Sequence, residues 1–390
     1  MNEFSLFFTE NNLIPKNDAI YKKEETFDFL SNEEVNAMSP DDYEAYLDRL
    51  FKWYREEFHF TWLTEINKSR KNKVFRMLKK HKEYKSFDKD YNLTPNNMGC
   101  SLADSYFPHK IEVKSVGYKT IPEAIADDKI FRKVLHKSFK YFQGKGTPYD
   151  VRQIIKFAAN VQMVSNFRPT SAKAVYKRYL PKEGGKVWDM SAGWGGRLFG
   201  ALASDVVKEY HATEPSSLTV KGLNEIIKEF DTTKKAKIFM QGSETFKGKD
   251  KENYYDLCFT SPPYFNTEMY ADEETQSWKS FATKEDWKEN FLRETLRNCY
   301  NNLKDERYCV INIANVKTYK NLVADTIQVG IEEGFDFIEE KFYLISRLPG
   351  GNVNKKVIKL KGEPLLVFYK GKNRWVNELK PEPIQIEVTE

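Results

Sequence analysis

Residues 1–31 are mostly unpatterned; from Ser39 to Leu180 apolar positions recur in stretches at helical spacing, and after that in short strand-like runs. Ser39, Pro40, Asp41 and Asp42 combine a capping serine, a proline at the first helical position and acids in the first turn, which predicts a helix start. Tyr43, Leu47, Leu50, Phe51 and Tyr54 continue that helix on one face. A second helix is predicted over 68–82, with Val74, Phe75 and Leu78 as its apolar stripe and Lys71, Lys73, Arg76, Lys79, Lys80 and Lys82 around the rest. A third basic helical stretch covers 131–140. The glycine- and proline-containing stretch 143–148 reads as a linker. Helical spacing returns over 151–164, breaks at 165–172, and resumes to Leu180.

From Lys186 the pattern alternates. Strands are predicted at 186–189, 210–213, 236–240, 255–260, 308–313, 335–345 and 364–369, with helices at 286–303 and 319–333 among those between them. The last two strands read as an antiparallel hairpin with a basic connection of Arg347, Lys355, Lys356, Lys359 and Lys361. Seven strands alternating with helices predict an α/β, Rossmann-like sheet behind a mainly helical N-terminal region. The tail from Asn373 is polar.

Length and composition narrow the class. The 390 residues are room for one large or two ordinary domains, and 40% hydrophobic content suffices for a core. No apolar stretch approaches a membrane span, and the first residues lack a secretory pattern. Cys100, Cys258, Cys299 and Cys309 and the five histidines have no metal-ligand spacing. A reduced, cytoplasmic protein without a metal site is the expectation. Net charge is +5, unevenly spread: residues 1–50 hold four basic and twelve acidic side chains, residues 51–150 twenty-one basic and twelve acidic. The second segment suits phosphate contacts, although a charge run is also what any solvated helix shows.

The chemistry concentrates at 255–265. An apolar run ends on Ser261, Pro262, Pro263 and Tyr264. Two prolines fix two φ angles and push the residue before them to an extended conformation. The result is a rigid hook carrying a hydroxyl, unclaimed carbonyls and an aromatic face. Such acceptors suit a ring-conjugated amino group, whose delocalised lone pair must be localised for attack. Upstream, Asp189, Ser191, Ala192, Gly193 and Gly195 form a strand-to-helix glycine turn, where backbone approaches a ligand closely. Gly193, Gly195 and Gly200 do not give the dinucleotide spacing G-x-G-x-x-G. Glu214 stands at the next strand end, suited to two ribose hydroxyls, and Ser243 and Glu244 follow the third strand. The loop 265–278 is long, acidic and aromatic.

Ser261–Tyr264 resembles the catalytic motif of amino-group DNA methyltransferases, which modify cytosine N4 or adenine N6. Asn166–Pro169, Asp189–Gly195 and Glu214 occur in the order that family would place them, so the resemblance spans about 160–370. It implies a class I fold and S-adenosylmethionine as cofactor. Phe167, Arg168, Pro169 and Thr170 would lie near its methionine moiety, Asp189 near its amino or carboxylate end, Glu214 on the ribose, and Ser243 or Glu244 on the adenine. Ser261 and the Pro262 carbonyl would hold the amino group while Tyr264 stacks on a flipped base. Ser191 departs from the usual aromatic and Ser243 from the usual aspartate. Serine at the first motif position is more similar to the N4 enzymes. The implied partner is double-stranded DNA, with a cognate restriction or defence partner as a possibility the residues do not address, in a bacterial or phage-infected cell. The expected division is 1–150 for target recognition, together with the 265–280 loop, 151–372 for catalysis, and 373–390 as a tail. Related hooks methylate RNA bases or a protein glutamine amide, and a non-catalytic nucleic-acid-binding protein with a retained fold is the third alternative.

Overall fold

The computed structural model describes residues 27–58, 66–142, 145–231, 233–248, 252–344 and 362–371. The basic connection Arg347, Lys355, Lys356, Lys359 and Lys361, the tail from Asn373, and Gln143 and Gly144 lie outside the described residues. In chain order the elements used below are α1 (Pro40–Trp53), α2 (Lys68–Lys80), α3 (Asp128–Phe142), α4 (Pro148–Ala158), α5 (Pro169–Tyr179), β1 (Gly185–Asp189), α6 (Gly196–Ala203), β2 (Val207–Thr213), α7 (Ser217–Phe230), β3 (Lys237–Phe239), β4 (Tyr255–Thr260), α8 (Glu294–Asn302), β5 (Leu303–Asn312), α9 (Leu322–Glu332), β6 (Asp336–Leu344) and β7 (Gly362–Lys370).

Packing divides the chain into two units: 1–65 with 117–163, and 66–116 with 164–390. The sequence places its boundary at 150, whereas the contacts put 66–116 with the sheet. In the first unit, Ser39 caps α1 through the Asp42 N–H, and Tyr46, Leu47, Leu50 and Trp53 are buried. Phe131, Val134, Leu135 and Phe139 of α3 supply the facing apolar side. Arg132 of the basic run pairs with Glu44 and Asp48 of α1, so part of that run's charge is neutralised within the unit. The end of the expected linker is also tied down. Thr147 caps α4 in a reciprocal box with Asp150, and the Gly146 carbonyl accepts from the Tyr54 hydroxyl at 2.6 Å.

The second unit holds the seven-stranded sheet, in the order β3-β2-β1-β4-β5-β7-β6. All pairings are parallel except those of β7, which runs against both neighbours. The Rossmann-like sheet with a terminal hairpin is therefore present. Successive side chains point to opposite faces: Val187 joins one buried cluster with Leu198, Phe199, Leu223 and Phe259, and Trp188 joins the other with Trp287, Leu296, Leu322 and Phe368. Outside α6 and α7, Phe75 of α2 meets Phe199 at 6.0 Å and Phe230 at 4.7 Å. The buried Lys173 of α5 donates to the carbonyls of Leu78, Lys79 and His81, satisfying the end of α2.

Several boundaries shift for physical reasons. β5 starts at Leu303, five residues before the expected start at Tyr308. Its polar residues 304–306 lie at a register shift between the paired Leu303 and Arg307, with Glu306 at a φ of 60° and Lys304 reaching the Asp256 carboxylate at 2.7 Å, so apolarity does not mark it. The helix expected over 286–303 is a π-helical stretch, Trp287–Arg293, followed by α8. α4 ends at Ala158, six residues early, because Asn160 takes a left-handed φ of 53° and Val161 bridges to Lys119. No helix among the described residues is long and apolar enough to cross a membrane.

Candidate active site

The strand order reverses between β1 and β4, so connections leave that gap in opposite directions and open a crevice at the strand ends. β1 reaches it with Asp189, β2 with Glu214 and β4 with Ser261. The loop after β1 turns through Gly193 and Gly195, at φ 54° and 73°, and enters α6. Both angles lie in the left-handed region, which glycine adopts without strain. Gly196 is required for another reason: an added Cβ would stand 1.8 Å from the Phe167 carbonyl oxygen.

Asp189 has no exposed surface, and its oxygens are committed inside the fold. Arg197 Nε donates to it at 2.8 Å, the Tyr210 hydroxyl at 2.6 Å and the Thr260 hydroxyl at 2.9 Å. Asp189, expected to meet a cofactor directly or through water, is thus engaged by Arg197, Tyr210 and Thr260. Its reach into the crevice passes through Arg197, which also donates to the Ser191 carbonyl. The sequence reading assigned no role to Asn166. Its side chain accepts from the Gly196 N–H at 3.1 Å and donates to the Trp194 carbonyl at 2.6 Å, bracketing Gly195. It also donates to Asp104, which pairs with Lys110 at 2.6 Å. Only the place of Asn166 beside the aromatic-plus-proline turn hinted at this.

Phe167, Arg168, Pro169 and Thr170 hold that turn in place. Phe167 stacks on Tyr343 at 4.6 Å, Arg168 donates to Asn97 and to the Leu344 carbonyl, Pro169 opens α5, and Thr170 donates to the Asn96 carbonyl. All four are buried. Ala192 is buried with its N–H on the Thr213 carbonyl, while Ser191 and Gly193 remain partly open. Glu214 accepts from the Gly193 N–H at 3.1 Å and the Ser216 N–H at 3.0 Å. Burial raises its pKa to about 7 against those two hydrogen bonds, which lower it. Ser243 is turned away, bonding Thr295 at 2.7 Å, because its short side chain faces α8. Glu244 keeps a half-buried carboxylate whose pKa is raised by burial.

Ser261, Pro263 and Tyr264 are partly open and Pro262 is buried. The Tyr264 hydroxyl donates to Glu363 at 3.0 Å, and Phe265 takes a φ of 56° as the chain turns back. The following loop crosses toward the glycine turn. Glu268 and Met269 pair antiparallel with Lys114 and Ser115, and Tyr270 lies 6.0 Å from Trp194. Glu273 accepts from the Ser217 N–H at the start of α7. Residues 104–116, read from sequence as part of a recognition region, thus help to wall this crevice; Phe107 also packs at Gly195 and Gly222.

Residues 255–389 match the family model described as DNA methylase. No curated protein matches the chain. Similar solved structures include a TehB-like SAM-dependent methyltransferase from Corynebacterium glutamicum (14% identity, 53% of this chain and 89% of that one, TM-score 0.34). A methyltransferase from Pyrococcus furiosus is similar at 16% identity, with 52% and 83% covered and a TM-score of 0.35. A putative RNA methyltransferase from Pyrococcus horikoshii is similar at 18% identity, with 51% and 80% covered and a TM-score of 0.32. The fold assignment stands on the strand order itself.

Two predictions follow from the crevice. Asn166→Ala removes the side chain that brackets Gly195, and cofactor affinity measured by calorimetry is expected to fall roughly tenfold, the effect of about 1.4 kcal/mol. Cofactor affinity is also expected to weaken as pH drops below about 7, where Glu214 takes up a proton and loses its charge. The sign for stability is opposite: a raised carboxyl pKa means the folded protein binds the proton more tightly, so Glu214 favours folding more as pH falls. A Glu214→Gln variant with a flat affinity profile checks the first effect.

The donor set fits S-adenosylmethionine: a carboxylate at the end of β2 for ribose hydroxyls, open backbone at Ser191 and Gly193, and a half-buried carboxylate after β3. The stretch that matches the DNA methylase family model, 255–389, contributes β4, β5, β6 and β7 to the seven-stranded sheet.

Proposed function

We propose that this chain is a site-specific DNA methyltransferase, moving the methyl group of S-adenosylmethionine to an exocyclic amino group of a flipped base, cytosine N4 in preference to adenine N6. The observation that carries the reading is adjacency. Ser261 directly follows Thr260, whose hydroxyl donates to Asp189 at the mouth of the glycine turn. The hook and the cofactor loop therefore share one buried carboxylate. Ser261 Oγ and the Pro262 carbonyl accept from the amino group, localising its lone pair, and Tyr264 supplies a stacking face. Holding both reactants at attack distance contributes much of the rate. Serine rather than an acid at the first motif position supports N4.

Support for DNA comes from the family match and from α2. Lys68, Arg70, Lys73, Arg76 and Lys80 of α2, and Lys82 just past it, are exposed, with no ion pair among the described residues. Such a face suits phosphates. Target reading by residues 1–150 with the 265–280 loop belongs to this proposal. The acidic run Asp272, Glu273 and Glu274 favours a second reading, a cationic peptide carrying a glutamine amide; an RNA base amine would meet the same acceptors.

Mass spectrometry of nucleosides from the DNA of cells expressing the chain tests the proposal. N4-methylcytosine is expected, absent with Ser261→Ala. No methylated base in DNA, with methyl label found in RNA or protein instead, would overturn it.

A further inference from the structure

The loop that leaves the hook lies across the crevice as a strap. Its start is fixed where Glu268 and Met269 pair with Ser115 and Lys114. Its far end is the short helix Ser277–Ser280, whose Lys279 and Ser280 N–H groups bond the Gln276 carbonyl. Between these anchors, Tyr270 sits 6.0 Å from Trp194, the residue after Gly193. Three residues on, Glu273 reaches the start of α7. One of its oxygens accepts from the Ser217 hydroxyl at 2.9 Å, and both accept from the Ser217 N–H at 3.1 Å. The Thr275 hydroxyl donates to the Pro215 carbonyl at 3.3 Å.

These contacts fall on both sides of Glu214. Its carboxylate is held by the Gly193 N–H on one side and by the Ser216 N–H on the other. The strap touches the neighbours of both donors, Trp194 and Ser217, and so spans the carboxylate. Glu214 is 8% exposed. A carboxylate that takes ribose hydroxyls has to be reached by them, so part of its cover has to move aside.

The attachment at Ser217 suits such a movement. An α-helix leaves its first N–H groups without partners inside the helix, and its N-terminus favours negative charge. Glu273 meets both needs from another element. The neighbouring acids are engaged within the strap, where Asp272 and Glu274 pair with Lys279 at 2.5 and 3.0 Å. The bonds to Ser217 lie at the surface, where water competes for both partners. This end of the strap therefore opens at far lower cost than the buried sheet.

We propose that Glu273 is a positioning residue that latches the strap shut over the cofactor crevice, and that its release from Ser217 gates entry and exit of S-adenosylmethionine. This rests on that cofactor as the ligand of the crevice and is independent of which amine receives the methyl group. Entry and exit both pass through the open strap, so both rates scale with its population.

Binding kinetics separate a latch from a fixed wall. Association and release of tritium-labelled S-adenosylmethionine are measured on the wild type, Glu273→Ala, Glu273→Gln and Ser217→Pro. The last removes the N–H and hydroxyl that Glu273 holds while keeping α7. Proline is tolerated at the first position of a helix, and Ser216 before it is already extended, at φ −76° and ψ 122°. Glu273→Ala and Ser217→Pro are each expected to raise both rate constants about tenfold and to leave the dissociation constant within about threefold. Combined, they should do no more than either alone, since both break one contact. Glu273→Gln keeps the shape and one acceptor and should fall between. In ligand-free protein, amides of 270–276 are expected to exchange hydrogen faster in Glu273→Ala and Ser217→Pro, with those of β1 and β4 unchanged. Faster release with unaltered association, unaltered rates, or an unaltered exchange pattern overturns the latch and leaves the cofactor assignment intact. A wild type that does not bind S-adenosylmethionine overturns both.

Discussion

The buried carboxylate of Asp189 is the interaction on which the rest of the site depends. Four pieces of backbone meet on it: β1 through its own position, α6 through Arg197, β2 through Tyr210, and the end of β4 through Thr260. A charge without exposure is tolerated only when it is paired and its remaining lone pairs are used, and removing one partner from such a pair costs about 3–5 kcal/mol. Both conditions are met here. The consequence is geometric. Arg197 carries the constraint to the Ser191 carbonyl, and Thr260 carries it to the residue before Ser261. Cofactor loop and hook cannot drift apart without leaving a buried charge uncompensated.

A second layer keeps the crevice in shape. Asn166 brackets Gly195, Asp104 and Lys110 hold Asn166 from behind, and the loop after Tyr264 returns to α7, where Glu273 accepts from Ser217. Trp194, Phe107 and Tyr270 make the walls apolar. Excluding water in this way strengthens each hydrogen bond left inside, which is what a reaction on a weakly nucleophilic amine requires.

Much of this was legible in the sequence, and what was not has an identifiable cause. β4 runs Tyr255–Thr260 as its apolar pattern predicts, because it is buried on both faces. Glu214 meets the Gly193 N–H, and Ser261 follows the neighbouring strand β4, because strand-end positions follow from topology. The opening of β5 was hidden because its polar residues 304–306 lie at a register shift between Leu303 and Tyr308. Asp189 was visible as a residue, while its partners Tyr210 and Thr260, distant in sequence, were not. Asn166 and the part of 66–116 that walls the crevice were missed for the same reason: their meaning lies in contacts across 30 to 175 residues, such as Asn166 with Gly196 and Arg168 with Tyr343.

The account's central claim is that one crevice presents a methyl donor to the Ser261–Tyr264 hook. A crystal structure with the product S-adenosylhomocysteine tests it most directly. The account predicts ribose hydroxyls on Glu214 and the sulfur facing Ser261. A ligand seated elsewhere, or one whose sulfur faces away from the hook, would contradict it.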